Sequence, residues 1–83
     1  MVEDIKEFIV YLREVKRTSV NTEVSYQRDL LQMAAFLREK GIHEASKVTK
    51  TSLNSYILYL EKEGKATTTI SRVLASMKAF FHY

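Results

Sequence analysis

An all-α fold, a small bundle of four helices, is what this sequence predicts, and three observations predict it. Apolar residues recur at helical spacing along nearly the whole chain, with no run of strand-like alternation. Proline is absent. The only two glycines, Gly41 and Gly64, each follow a charged, helix-favouring stretch, where a helix C-terminal cap belongs.

The first helix is expected over about Val2 to Lys16, with Ile5, Phe8, Ile9, Leu12 and Val15 on one stripe. Its early Glu3 and Asp4 and its late Lys16 and Arg17 suit the helix dipole. The second is expected from about Thr22 to Lys40, capped by Ser19 or Asn21. Tyr26, Leu30, Met33 and Leu37 form its main core stripe. Val24, Leu31 and Ala35 lie near its other side and suggest neighbours on more than one face. The third runs from about Lys50 to Glu63, with Thr49 as N-cap and Val48 against Leu53 at hydrophobic-staple spacing. Leu53, Tyr56, Ile57 and Leu60 point inward. The fourth starts at Thr67 or Thr68 and carries Ile70, Val73, Leu74, Met77, Phe80 and Phe81 as its apolar stripe. The chain ends inside that stripe, without a cap, so the sequence is expected to be one domain, residues 1–83, of a longer protein continuing C-terminally.

Composition narrows the chemistry. There is no cysteine, so disulfides, thiolate metal sites and thiol catalysis are excluded, and a reducing cytoplasmic location is expected. No apolar run approaches a membrane span, and the acidic start Met1-Val2-Glu3-Asp4 is unlike a signal peptide. His43 and His82 are far apart and unaccompanied by paired carboxylates, so no metal site is expected. No glycine-rich phosphate loop occurs, and no serine or threonine has a base nearby in sequence. Asp29, at the edge of the second helix's core stripe, reads as a structural carboxylate bonded to backbone or to an arginine. No catalytic residue and no cofactor is therefore expected.

What remains is two polar faces. The formal charge is +3, and beyond Glu63 there are three basic residues, Lys65, Arg72 and Lys78, with no acidic one. On the second helix Ser25, Arg28 and Gln32 fall within a narrow arc, with Asn21 and Thr22 near the helix start. Free amides and hydroxyls at such a start, with an arginine to fork onto a second group, suit phosphate. On the fourth helix Lys65, Thr68 and Arg72 project in an arc opposite the apolar stripe, continued by Ala75 and Ala79 and flanked by Ser71 and Lys78. Thr67, Thr68 and Thr69 add hydroxyls and free amides, and the small alanines permit close approach to a nucleic-acid groove. The competing expectation is a protein–protein docking module using Leu58 and Tyr59, which lie off the third helix's core stripe.

The order of these residues resembles the tyrosine recombinases, the Xer-type recombinases and phage integrases. Asn21-Thr22-Glu23-Val24-Ser25-Tyr26-Gln27-Arg28-Asp29-Leu30 is similar to their N-T-x-x-x-Y-x-x-D-L signature, which continues into Phe36-Leu37. The stretch from Lys65 to Tyr83 resembles the family's last core-binding helix, with its Ser/Thr-rich start, arginine, small residues and terminal Phe-x-Tyr. The resemblance implies a SAM-like N-terminal core-binding domain that closes a C-shaped clamp on duplex DNA together with a C-terminal catalytic domain. It implies backbone contacts from Thr22, Ser25 and Arg28. From the fourth helix it implies contacts by Lys65, Thr67, Thr68 and Arg72, with Arg72 reading a base. Tyr26 and Asp29 match signature positions in structural roles. The family's strand-cleaving set includes an H-x-x-R motif and a tyrosine nucleophile; H-x-x-R is absent here, and none of the five tyrosines takes that place. The resemblance also implies contacts with neighbouring recombinase protomers.

Overall fold

The computed structural model describes all residues 1–83. Four α-helices form, α1 (Val2–Tyr11), α2 (Val20–Glu39), α3 (Lys50–Lys62) and α4 (Thr67–Phe81), and there is no strand. The molecule measures 34 × 28 × 17 Å. Its thinnest dimension is about two helix diameters at most, so every helix keeps one face in solvent.

Local chemistry sets the helix ends. Ser19 caps α2, its Oγ accepting from the Thr22 amide at 3.2 Å, so the helix begins two residues before the expected Thr22. Thr49 caps α3 in a reciprocal box with Ser52. The staple residues Val48 and Leu53 both pack against the core. Helices α2 and α3 close identically. The Gly41 amide donates to Arg38 O and the Ile42 amide to Leu37 O, while Gly64 donates to Glu61 O and Lys65 to Leu60 O. These are complete Schellman caps, with both glycines at positive φ (83° and 78°). The second one fixes where Lys65 leaves α3. A Cβ at Gly64 meets nothing within 4 Å, so only backbone strain opposes a side chain there. Gly64→Ala is accordingly expected to destabilise the fold by about 1 kcal/mol, read from the urea midpoint at unchanged slope.

Helix α1 departs from the expected regular helix. Over Leu12–Lys16 it widens into a π turn, ended by Arg17 in the left-handed region at φ 52°. A wider turn advances fewer degrees per residue, which carries Val15 off the stripe and leaves it 64% exposed. The turn is tied to the start of α2 by Arg13, whose Nε donates to buried Glu23 at 2.8 Å.

The core joins α1, α2, α3 and α4 through thirteen buried apolar residues, among them Ile5, Phe8, Leu30, Met33, Leu37, Tyr56 and Phe80. Phe8 is its aromatic hub, edge-on to Phe80 at 5.6 Å and tilted against Tyr83 at 5.5 Å. On α4 the buried set is Val73, Ser76, Met77 and Phe80. Leu74, expected inward, is 40% exposed instead. Ser76 is wholly buried and its hydroxyl donates back to Val73 O at 2.8 Å. The buried face of α4 is therefore turned toward Ser76 and away from Leu74 relative to the sequence expectation.

Candidate nucleic-acid interface

The rotation of α4 decides which of its polar residues reach solvent. Thr67, Thr68, Ser71, Ala75 and Lys78 are exposed, and Ser71 and Lys78 lie near the middle of the free face rather than on its flank. Arg72 was expected opposite the apolar stripe. It lies instead at the boundary of the buried face, its side chain 37% exposed, turned toward α2.

There it meets Asp29. Arg72 Nε donates to Asp29 Oδ2 at 2.7 Å and Nη2 donates to Oδ1 at 3.1 Å, a two-pronged fork. The Asp29 side chain is only 3% exposed. A buried carboxylate needs a partner of this kind, since an unpaired charge in the interior is costly. Of the two partner types open in the sequence, backbone or arginine, the structure has the arginine. The fork's hydrogen bond raises the Arg72 pKa above its ordinary value, against the opposing effect of burial.

The fork also brings the two polar faces together. Gln32, one turn past Asp29 on α2, lines the same groove as Lys65, which precedes α4. The two helices therefore cross in opposite directions, with the Asp29–Arg72 pair as their seam. On the α2 side Asn21, Arg28 and Gln32 are exposed, and Thr22 and Ser25 are half-buried. On the α4 side Lys65, Thr67 and Thr68 are exposed, and Thr69 is half-buried. On α2 the exposed part of the strip is Asn21, Arg28 and Gln32.

The two helix starts differ in what they leave open. At α2 the Thr22 amide is taken by Ser19, and the Thr22 hydroxyl accepts from Ser19 at 2.9 Å. Thr22 thus belongs partly to the cap. The N-cap of α4, Ala66, has no capping side chain, and no acceptor in the protein takes the amides of Thr67, Thr68 and Thr69. Those amides, the threonine hydroxyls and Lys65 make the more open anion-binding start.

Tyr56 packs beneath the seam, 2% exposed. Burial first, then the negative charge of Asp29 and then Tyr59, pushes its phenol up to about 12. The unfolded value is about 10. The folded state therefore holds this proton through the window between the two. That stabilisation is complete below about pH 10 and is lost as pH rises toward 12, with a slope of at most about 1.4 kcal/mol per pH unit. Urea midpoints measured across pH 9 to 11 should fall, and Tyr56→Phe should flatten the fall.

No group of three or more His, Cys, Asp or Glu side chains is placed to hold a metal ion. His43 is exposed, its carbonyl accepting from the Met1 amino group at 3.2 Å, and His82 is exposed beyond α4. No helix is long and apolar enough to cross a membrane. Leu58 (62% exposed) and Tyr59 (43%) lie outside the core and line a groove between α2 and α3, and Tyr59 also lines the groove that holds Gln32 and Lys65.

The family model for the phage integrase N-terminal SAM-like domain matches residues 5–83. A Caldanaerobacter subterraneus subsp. tengcongensis protein, TTE1313, provisionally named a tyrosine recombinase, is 43% identical over 95% of this chain and 27% of its own length. The tyrosine recombinase XerC of Listeria welshimeri is 31% identical over 94% of the chain and 26% of its own length. That of Herpetosiphon aurantiacus is 32% identical over 100% and 27%. No solved structure matches. The chain spans about a quarter of the length of the curated relatives it matches. Its helices, its signature residues and the family match agree: this chain belongs to the phage integrase N-terminal SAM-like domain family.

Proposed function

We propose that this chain is the DNA-clamping, core-binding domain of a tyrosine site-specific recombinase, working in the cytoplasm beside a separate C-terminal catalytic domain. The observation that carries the reading is the joining of two polar helix faces across the Asp29–Arg72 seam. Arg28, Gln32 and Asn21 stand on one side, and Lys65, Thr67, Thr68 and Lys78 on the other. Cationic side chains with open helix-start amides suit phosphate, while the exposed Ala75 keeps the surface low enough to enter a groove. The domain then supplies grip and register. Strand cleavage and religation, and with them recombination or integration, belong to the catalytic domain, and neighbouring protomers on the same DNA are the other partners.

Fluorescence anisotropy with a short duplex tests this. A domain neutralising few phosphates should bind with a Kd of roughly 10⁻⁴ to 10⁻⁶ M and a log–log salt slope near about −3. Arg28→Ala and Lys65→Ala should each bring that slope about one unit closer to zero. Leu58→Ala should change nothing. The absence of salt-sensitive binding would overturn the DNA-binding reading, and loss of binding only with Leu58→Ala would move the DNA contact to the α2–α3 groove.

A further inference from the structure

The side-on fork between Arg72 and Asp29 uses one edge of the guanidinium, Nε with Nη2. A guanidinium carries five N–H groups. Two are spent on Asp29, and no other group in the protein accepts from Arg72. The adjoining edge, Nη1 with the second Nη2 hydrogen, is thus left with paired donors and no acceptor. Asp29 is buried while the Arg72 side chain is 37% exposed, so the engaged edge lies inward. A carboxylate with both oxygens committed fixes the guanidinium plane, which a single hydrogen bond would leave free to rotate.

We propose that Asp29 is a positioning residue that holds Arg72 by its inner edge and presents the outer edge to a pair of acceptor atoms on DNA. This rests on the DNA-binding reading above. The acceptors that fit such an edge are two oxygens of one phosphate or the O6 and N7 atoms of a guanine. The residue that touches DNA is Arg72. Asp29 acts through it, removing in the free protein the freedom that an unsupported arginine surrenders on binding.

Asp29→Asn separates this role from a merely structural one, because the two readings differ in sign. The substitution removes a negative charge from the seam, which on electrostatics alone strengthens attraction to DNA. With the buttress lost, affinity for a short duplex should instead fall about tenfold, with the salt slope unchanged. A folded Asp29→Asn protein that binds as tightly as the parent chain, or more tightly, overturns the proposal and leaves the DNA-binding reading standing. A parent chain with no salt-sensitive affinity for DNA overturns both.

A measurement on the unaltered chain guards against an Asn variant that fails to fold. On DNA addition the Arg72 Nε–H signal should keep its position in the nitrogen–proton correlation spectrum while the Nη signals move. An Nε–H that moves to the position of an unpaired arginine shows that DNA breaks the fork, and the proposal fails. Replacing guanine by 7-deazaguanine, which lacks the N7 acceptor, tells the two acceptors apart. A loss of affinity in the parent chain assigns guanine, and an unchanged affinity assigns phosphate.

Discussion

Phe8→Ala should remove about 3–5 kcal/mol of stability, the largest effect expected of any single substitution in this chain. Phe8 is 1% exposed and touches Tyr11, Phe80 and Tyr83, so it joins the first helix to the end of the last. Truncation leaves a cavity walled by aromatic rings on two helices, which cannot both move in to fill it. A domain of 83 residues has a total stability of only about 4–12 kcal/mol. The variant should therefore lose about a quarter or more of its stability, visible as a urea transition displaced far toward lower denaturant. Leu58→Ala, at a residue 62% exposed, serves as the control and should shift stability by less than about 0.5 kcal/mol.

Arg72→Ala follows, with an expected loss of about 3 kcal/mol. The loss comes less from the attraction forgone than from what is left behind, a carboxylate at Asp29 that is 2% exposed and without a partner. Replacing both ends of a buried pair with apolar residues of similar size is often neutral. Asp29→Leu with Arg72→Leu should therefore recover most of the lost stability. The recovered double variant should still bind DNA poorly, because it has no outer guanidinium edge to offer. Thermal melts and anisotropy on the same samples separate the two roles: stability restored, binding not.

These two residues show what was legible in the sequence. Phe8 was readable because helical periodicity places it beside Ile5, Ile9 and Leu12, and that spacing holds through the first turns of α1. It ceases to hold at Leu12–Lys16, where the turn widens to i→i+5, and Val15 is lost from the core there. Helix ends were readable wherever the cap is local. Thr49 with Ser52, Gly41 and Gly64 each settle their geometry within a few residues, and Ser19 settles the start of α2.

The rotation of α4 was not readable in that way. Leu74 is the more apolar side chain and Ser76 the smaller, and hydrophobicity alone favours burying the leucine. The packing instead puts Ser76 in the interior with its hydroxyl returned to its own backbone, and leaves Leu74 partly out. The same rotation moves Arg72 from the centre of the polar face to its border. The carboxylate at position 29 was readable as structural, but its partner lies 43 residues away, and no spacing rule reaches that far. On α2, Arg28 and Gln32 are exposed as the sequence expected, because Leu30, Met33 and Leu37 are buried as their periodicity requires, while Thr22 and Ser25 are half-buried.

The most direct test of the account is a heteronuclear NMR titration of the chain with a short duplex at low salt, following every backbone amide. The account predicts shifts confined to residues 21–32 and 65–78, largest at Thr67, Thr68 and Thr69, whose amides have no acceptor in the free protein, and abolished by added salt. Shifts centred on Thr51, Ser55 and Leu58 in the α2–α3 groove, or no shifts at all, would contradict it.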